Sequence, residues 1–186
     1  MAERKIDRRT IMTKSMIKNA LLELLDKTSY EKITITALCK QSEITRATFY
    51  LHYGNMDEVL DELLDDALRL TELDDNARTN LSSDDPDSFL PACQRAASEP
   101  KYKVLFLDDT MSHIILDKLY HREHDKQIKL LMSNYHVSEW EADKLFLYTL
   151  HGSFAVNKSL AWEKNKEWYE AQELIREVIK PVSNKS

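Results

Sequence analysis

The sequence predicts an all-α protein of about nine helices, with a three-helix N-terminal unit followed by a larger helical body. Three observations carry that expectation. The 186 residues include only two glycines and four prolines, while 31% are charged and 42% hydrophobic, a composition that suits helices rather than turn-rich sheets. Apolar residues recur at spacings of three and four, the period of a helix packed on one side. Threonine, serine or asparagine precedes several of these stretches, where its side-chain oxygen can accept from the orphan amides of a first turn.

Residues 1–10 are polar and carry Arg4, Lys5, Arg8 and Arg9. Such an arm can reach phosphates or a minor groove, or simply remain a solvated terminus. A first helix is expected over 11–27, with Ile17, Leu21, Leu24 and Leu25 on its core stripe and Lys14 and Lys18 on another face. Asp26-Lys27-Thr28-Ser29 breaks the pattern, and Tyr30 and Ile33 are expected to pack the small unit together.

Residues 33–55 read ITITALCKQSEITRATFYLHYGN. Two short helical patterns are separated here by a brief break, opened by Thr34 and Thr45. Ile35, Leu38 and Cys39 line the apolar face of the first pattern, and Ile44 plugs the break. This is the spacing of a helix-turn-helix, whose second helix enters a DNA major groove. In that second helix Phe49 is core, as is Tyr53 one turn later, while Arg46, Ala47 and Tyr50 share the outward face. An arginine there can pair bidentately with guanine and an alanine can touch a thymine methyl. Thr34, Thr36, Thr45, Thr48 and His52 suit phosphate contacts, which set register without reading sequence.

Gly54 suits a helix stop, and Asn55 with Glu58 forms a capping-box pattern. Val59, Leu60, Leu63, Leu64, Ala67 and Leu68 then make an apolar face too broad for one-sided packing, so this helix is expected to touch both the small unit and the body. Residues 80–87, NLSSDDPD, read as a linker-like turn. Further helices are expected over 87–98, 101–107, 111–134, 138–162 and 168–180. Ser138 and Glu141 form a capping box, and Pro181 provides the final stop. Leu145, Thr149, Gly152, Val156 and Leu160 form one continuous face of the penultimate helix. A mid-helix glycine costs ~1 kcal/mol relative to alanine, so Gly152 points to a close helix crossing. The last helix offers Leu174, Ile175, Val178 and Ile179.

Residues 14–64 resemble the N-terminal domain of TetR-type (TetR/AcrR-like) transcriptional regulators. The resemblance is carried by Thr48-Phe49-Tyr50-Leu51-His52-Tyr53, by Asn55 opening a new helix, and upstream by Tyr30-Glu31-Lys32-Ile33-Thr34 and Leu38-Cys39. It implies a DNA-binding domain over 1–54 and a regulatory and dimerisation domain over 55–186, with 55–70 as the connecting helix. It implies base reading by Arg46, Ala47 and Tyr50 on a palindromic double-stranded operator, and a ligand-responsive repressor working as a homodimer. The implied dimer face is Leu145, Thr149, Gly152, Val156 and Leu160 with Leu174, Ile175 and Val178. An unidentified small-molecule inducer would be held among Phe89, Phe106, Leu116, Tyr120, Trp140 and Tyr148. Two positions depart from the family pattern. Glu43 stands where the turn usually has glycine, and Met56 where many relatives carry a lysine that meets phosphate.

The net charge of −6 is unevenly spread. Residues 1–53 hold ten Lys and Arg against six Asp and Glu, a balance of +4, and the rest hold sixteen against twenty-six, a balance of −10. Only the first third therefore suits phosphate. No run approaches the ~20 apolar residues of a membrane span, and a soluble cytoplasmic protein is expected. Cys39 and Cys93 have no CxxC spacing, so neither a disulfide framework nor a zinc knuckle is expected. Asp117, His121 and His124 lie on one helical face, read as solvated rather than metal-binding. There is no Gly-rich phosphate loop and no nucleophile elbow, so the expectation is no enzyme, no metal and no cofactor. The rival reading is a TetR-like co-activator or adaptor acting through protein–protein contacts.

Overall fold

The structure, a computed structural model, describes residues 8–75 and 92–179, with the side chains at 70–75, 92, 176, 178 and 179 outside the description. Among the described residues there are nine α-helices and no strand. They are α1 (Arg8–Leu25), α2 (Ile35–Gln41), α3 (Arg46–Tyr50), α4 (Met56–Asp75), α5 (Ala92–Ser98), α6 (Lys103–Leu107), α7 (Ser112–Tyr135), α8 (Glu139–Ser159) and α9 (Lys166–Ile179). Short 3-10 turns occupy Tyr30–Lys32 and Asp109–Met111. The linker-like stretch 80–87 and the expected start of the fifth helix at 87 lie outside the described residues.

The apolar period of α1 buries Ile17, Ala20, Leu21, Leu22 and Leu25, and the helix packs on α2 and α4. Its lysines do not line a free face, because α4 supplies their counter-ions. Lys14 Nζ is 2.6 Å from Glu62 Oε2, and Lys18 Nζ is 3.0 Å from Glu62 Oε1 and also pairs with Asp66. Burial tends to raise the Glu62 pKa, yet hydrogen bonds and charge from Lys14 and Lys18 hold it below the usual carboxylate value. A lowered folded pKa adds stability that is fully present above the unfolded pKa and lost as pH falls through the folded one. Glu62→Gln is therefore expected to lower the melting temperature at pH 7, with the gap to the wild type closing as the pH drops below the ordinary value of 4.5. Thermal melts of both proteins across that range check this.

Helix α4 joins the two halves. Val59, Leu60, Leu63, Leu64, Ala67 and Leu68 are all at most 1% exposed, which requires neighbours on more than one side. Those neighbours include α1 and α5, and Lys118 of α7 adds ion pairs to Asp61 and, at 3.0 Å, to Asp65. A second tie runs through Tyr30, whose amide donates to Asp108 Oδ2 and whose hydroxyl donates to Asp57 Oδ1, both at 2.7 Å. One apolar cluster consequently runs from Ile17 through α4 to Trp162.

The entry to α4 differs from its expected form. Gly54 does not take a left-handed stop conformation. Its amide donates instead to Glu58 Oε2 at 2.7 Å, while Asn55 Oδ1 accepts from the Glu58 amide at 2.9 Å. The carboxylate thus reaches back one residue beyond the cap. A Cβ on Gly54 would stand 2.9 Å from that carboxylate, an overlap that a small shift of the flexible Glu58 side chain relieves.

In the body, α7 and α8 pair along their length across a turn in which His136 is left-handed at φ 54°. Ser138 opens α8 with the complete capping box. The helix ends at Ser159 rather than at 162, because Ala161 and Trp162 turn left-handed, with φ of 50° and 59°. The strained turn swings the Trp162 indole between Phe106 and Phe154, at centroid distances of 5.1 and 5.0 Å, where its Nε1 donates to the Phe106 carbonyl at 3.0 Å. Asn165 Oδ1 then accepts from the Trp168 amide at 2.9 Å and starts α9 earlier than the expected 168. The Trp168 Nε1 donates to buried Asn157 Oδ1 at 2.7 Å, fastening α9 to α8.

Gly152 is exposed, and among the described residues a Cβ there would meet nothing within 4 Å, so the helix crossing that its place in α8 suggests is not made by the described part of the chain. No helix among the described residues is long and apolar enough to cross a membrane.

Candidate nucleic-acid interface

Two threonine caps build the helix-turn-helix. Thr34 Oγ1 accepts from the Ala37 amide at 3.1 Å to start α2. Thr45 Oγ1 accepts from the Thr48 amide at 3.0 Å to start α3, and lies 2.9 Å from Thr48 Oγ1. Between the helices Ser42 is buried, its hydroxyl donating to the Leu38 carbonyl at 2.7 Å. Glu43 takes the left-handed conformation at φ 55° that a glycine would take freely, at a cost on the order of 1–2 kcal/mol. The following Ile44 amide donates to the Cys39 carbonyl at 3.0 Å and closes the turn. The Glu43 departure therefore leaves the turn geometry in place and leaves an exposed carboxylate beside α3.

The five residues of α3 are too few to hold a helix alone. Phe49 anchors them at 0% exposure, with Tyr53 at 3% behind it and the two rings 5.9 Å apart. Lys14 Nζ sits 4.8 Å over the Tyr53 ring, tying α1 to the same anchor. The Tyr50 ring meets Phe49 edge-on at 5.3 Å while staying half exposed, so its direction is set from below. The Tyr50 hydroxyl beside the Arg46 guanidinium holds the arginine pKa above its ordinary value.

Of the sequence-selected residues, Arg46, Ala47 and Tyr50 are exposed on α3, Thr34, Thr36 and Thr45 are exposed, and Thr48 and His52 are half-buried. Met56, the other departure, is partly buried against the core. Sequence reasoning passed over Leu51, which is 81% exposed. Its signal was an apolar residue one helical turn after Ala47.

The other selected residues are dispersed. Phe106 is core against Trp162, Leu116 is partly buried, and Tyr120 stacks on Phe146 at 5.6 Å with its hydroxyl donating to Asp143. Trp140 and Tyr148, at 70% and 68% exposure, line no enclosed space among the described residues, because the core side of α8 is taken by Ala142, Phe146, Leu150, Phe154 and Asn157. Phe89 lies outside the described residues. An open groove of about 750 Å³ runs along α4 between Lys14, Tyr53 and Ile114, with five α4 carboxylates on its wall, and none of the expected ligand residues borders it. On the expected dimer face, Leu145, Thr149, Val156 and Leu160 are half-buried and Gly152 is exposed. Leu174 is 62% exposed and Ile175 half-buried, while the Val178 side chain lies outside the description. His121 Nδ1 lies 2.9 Å from the Asp117 carbonyl, and His124 lies between Asp125 and Asp143.

Comparison with known proteins points to the same stretch. Residues 17–63 match the family described as bacterial regulatory proteins, tetR family. An uncharacterized HTH-type transcriptional regulator of Bacillus subtilis (strain 168), YxbF, is 41% identical over 63 residues, which are 33% of this chain and 17% of that relative. The likeness thus spans well under a quarter of the relative's length. No solved structure matches the chain.

Proposed function

We infer that this chain, which carries over residues 17–63 the N-terminal domain of the tetR family of bacterial regulatory proteins, is a DNA-binding transcriptional regulator acting as a repressor. The observation that supports this most is the exposed row Arg46, Ala47 and Tyr50 on a helix capped by Thr45 and anchored by buried Phe49. That row presents a guanidinium, a methyl and a phenol to a major groove, and the surrounding Thr34, Thr36, Thr45, Thr48 and His52 offer donors to phosphate. In this reading 1–54 is the DNA-binding domain and 55–186 the regulatory and dimerising one, with 55–70 linking them.

The partner surface we assign to a second copy is the outer side of α8 and α9. Tyr148 and Gly152 are exposed one turn apart on α8 and Leu174 is exposed on α9, and two heads so joined would meet successive major grooves of a palindrome. A small molecule binding one arrangement of α4 better than another would change head spacing and release DNA. The adaptor alternative differs in its DNA behaviour, predicting weak, sequence-independent and strongly salt-dependent binding.

Selecting bound sequences from a random DNA pool with the full chain separates the two. A palindromic consensus supports the regulator, and no enrichment over background overturns it. Arg46→Ala is expected to relax preference at one position of each half-site by roughly ten- to hundred-fold, the discrimination of a bidentate arginine–guanine pair. An unchanged specificity profile removes Arg46 from the base-reading set.

A further inference from the structure

We propose that Leu51, together with Ala47, reads thymine methyl groups in the major groove; this rests on the DNA-binding reading above and deepens it. Leu51 is the most exposed large apolar side chain among the described residues, at 81%. Its backbone is helical, with φ −73° and ψ −20°, and its amide donates to the Ala47 carbonyl at 3.2 Å. Leu51 therefore prolongs the turn of α3 and stands one turn beyond Ala47. At about 100° per residue, both lie about 160° from buried Phe49, so they point most directly away from the core. Arg46 and Tyr50 flank them on one side.

A leucine in this position has nothing to offer a phosphate and no hydrogen bond for a base edge. The apolar group that a major groove presents is the C5 methyl of thymine. The neighbours argue for that occupant rather than for a protein, since the apolar strip is two side chains wide and bordered by Arg46, Thr48 and His52. A stable protein interface needs about 800 Å² per partner. Four residues of helix rise about 6 Å, close to two base-pair steps of roughly 3.4 Å. The half-site should therefore carry two methyl-bearing positions about two steps apart, beside the position read by Arg46.

Replacing thymine by deoxyuridine removes only the methyl. In sequences selected by the full chain, deoxyuridine at two positions per half-site is expected to weaken binding about fourfold each, the factor that burying one methyl supplies. Leu51→Ala should abolish the sensitivity at one of them, and Leu51→Met, which keeps an apolar side chain, should retain it. Equal affinity for thymine and deoxyuridine at every position overturns the inference, as does an unaltered deoxyuridine response in Leu51→Ala. If a consensus is selected and shifts with Arg46→Ala while deoxyuridine has no effect, this inference falls and the regulator reading stands. If no sequence is selected, both fall.

Discussion

Gly152→Leu is expected to raise the melting temperature of the folded chain while lowering operator affinity by about 10²- to 10⁴-fold. The first effect is local. Gly152 lies within α8, is exposed, and has nothing within 4 Å of a Cβ, so a leucine meets no obstacle inside the chain. Leaving glycine for a good helix former gains about 1 kcal/mol in a helix interior. The second effect follows if a partner helix approaches over the bare backbone at Gly152, as the proposed dimer requires, because a leucine there would hold it off. Monomers lose the high effective concentration of the second head, and that linkage is worth about 10²–10⁴ in affinity. Sedimentation and fluorescence anisotropy on the same preparation read both quantities. A variant that stays dimeric with unchanged affinity removes this face from the interface, and the rise in melting temperature distinguishes a broken interface from a damaged fold.

Phe49→Ala is expected to destabilise the N-terminal unit by about 3–5 kcal/mol, the usual cost of deleting a buried phenylalanine. That is a large share of a typical total stability of about 5–15 kcal/mol. Phe49 is fully buried and touches both Tyr50 and Tyr53. Without it, the short α3 loses the buried ring that sets the direction of Arg46 and Tyr50 from below. DNA binding should disappear near 37 °C and return in part on cooling, with helical signal lost in an early step of the melt. Circular dichroism with binding assays at two temperatures checks this. A melt within 1 kcal/mol of wild type would mean that α3 is held from elsewhere.

What the amino-acid sequence makes legible is local. Thr34, Thr45 and Ser138 cap helices because their side chains meet amides two or three residues on, a contact set by sequence spacing alone. Phe49 and Tyr53 are buried, and Arg46, Ala47 and Tyr50 exposed, because helical periodicity separates them onto different faces. The two-sided burial of α4 was legible for the same reason, in the width of its apolar stripe.

Features that depend on which surfaces meet were not legible in this way. Nothing within three or four residues of Lys14 and Lys18 announces Glu62 and Asp66, since the pairing arises from the crossing of α1 and α4. The end of α8 at Ser159 is set by the place of the Trp162 indole between Phe106 and Phe154, which outweighs the local preference to continue the helix. Gly152 and Tyr148 share the periodicity of core positions, and only the packing of α7 on the other side of α8 turns them outward. The sequence by itself determined the helices, the caps that open α2, α3 and α8, and the exposed row on α3, because caps and periodicity act over a single turn. The tertiary structure decided which faces are spent on the core and which remain free, because burial is a property of two surfaces and a sequence names only one at a time.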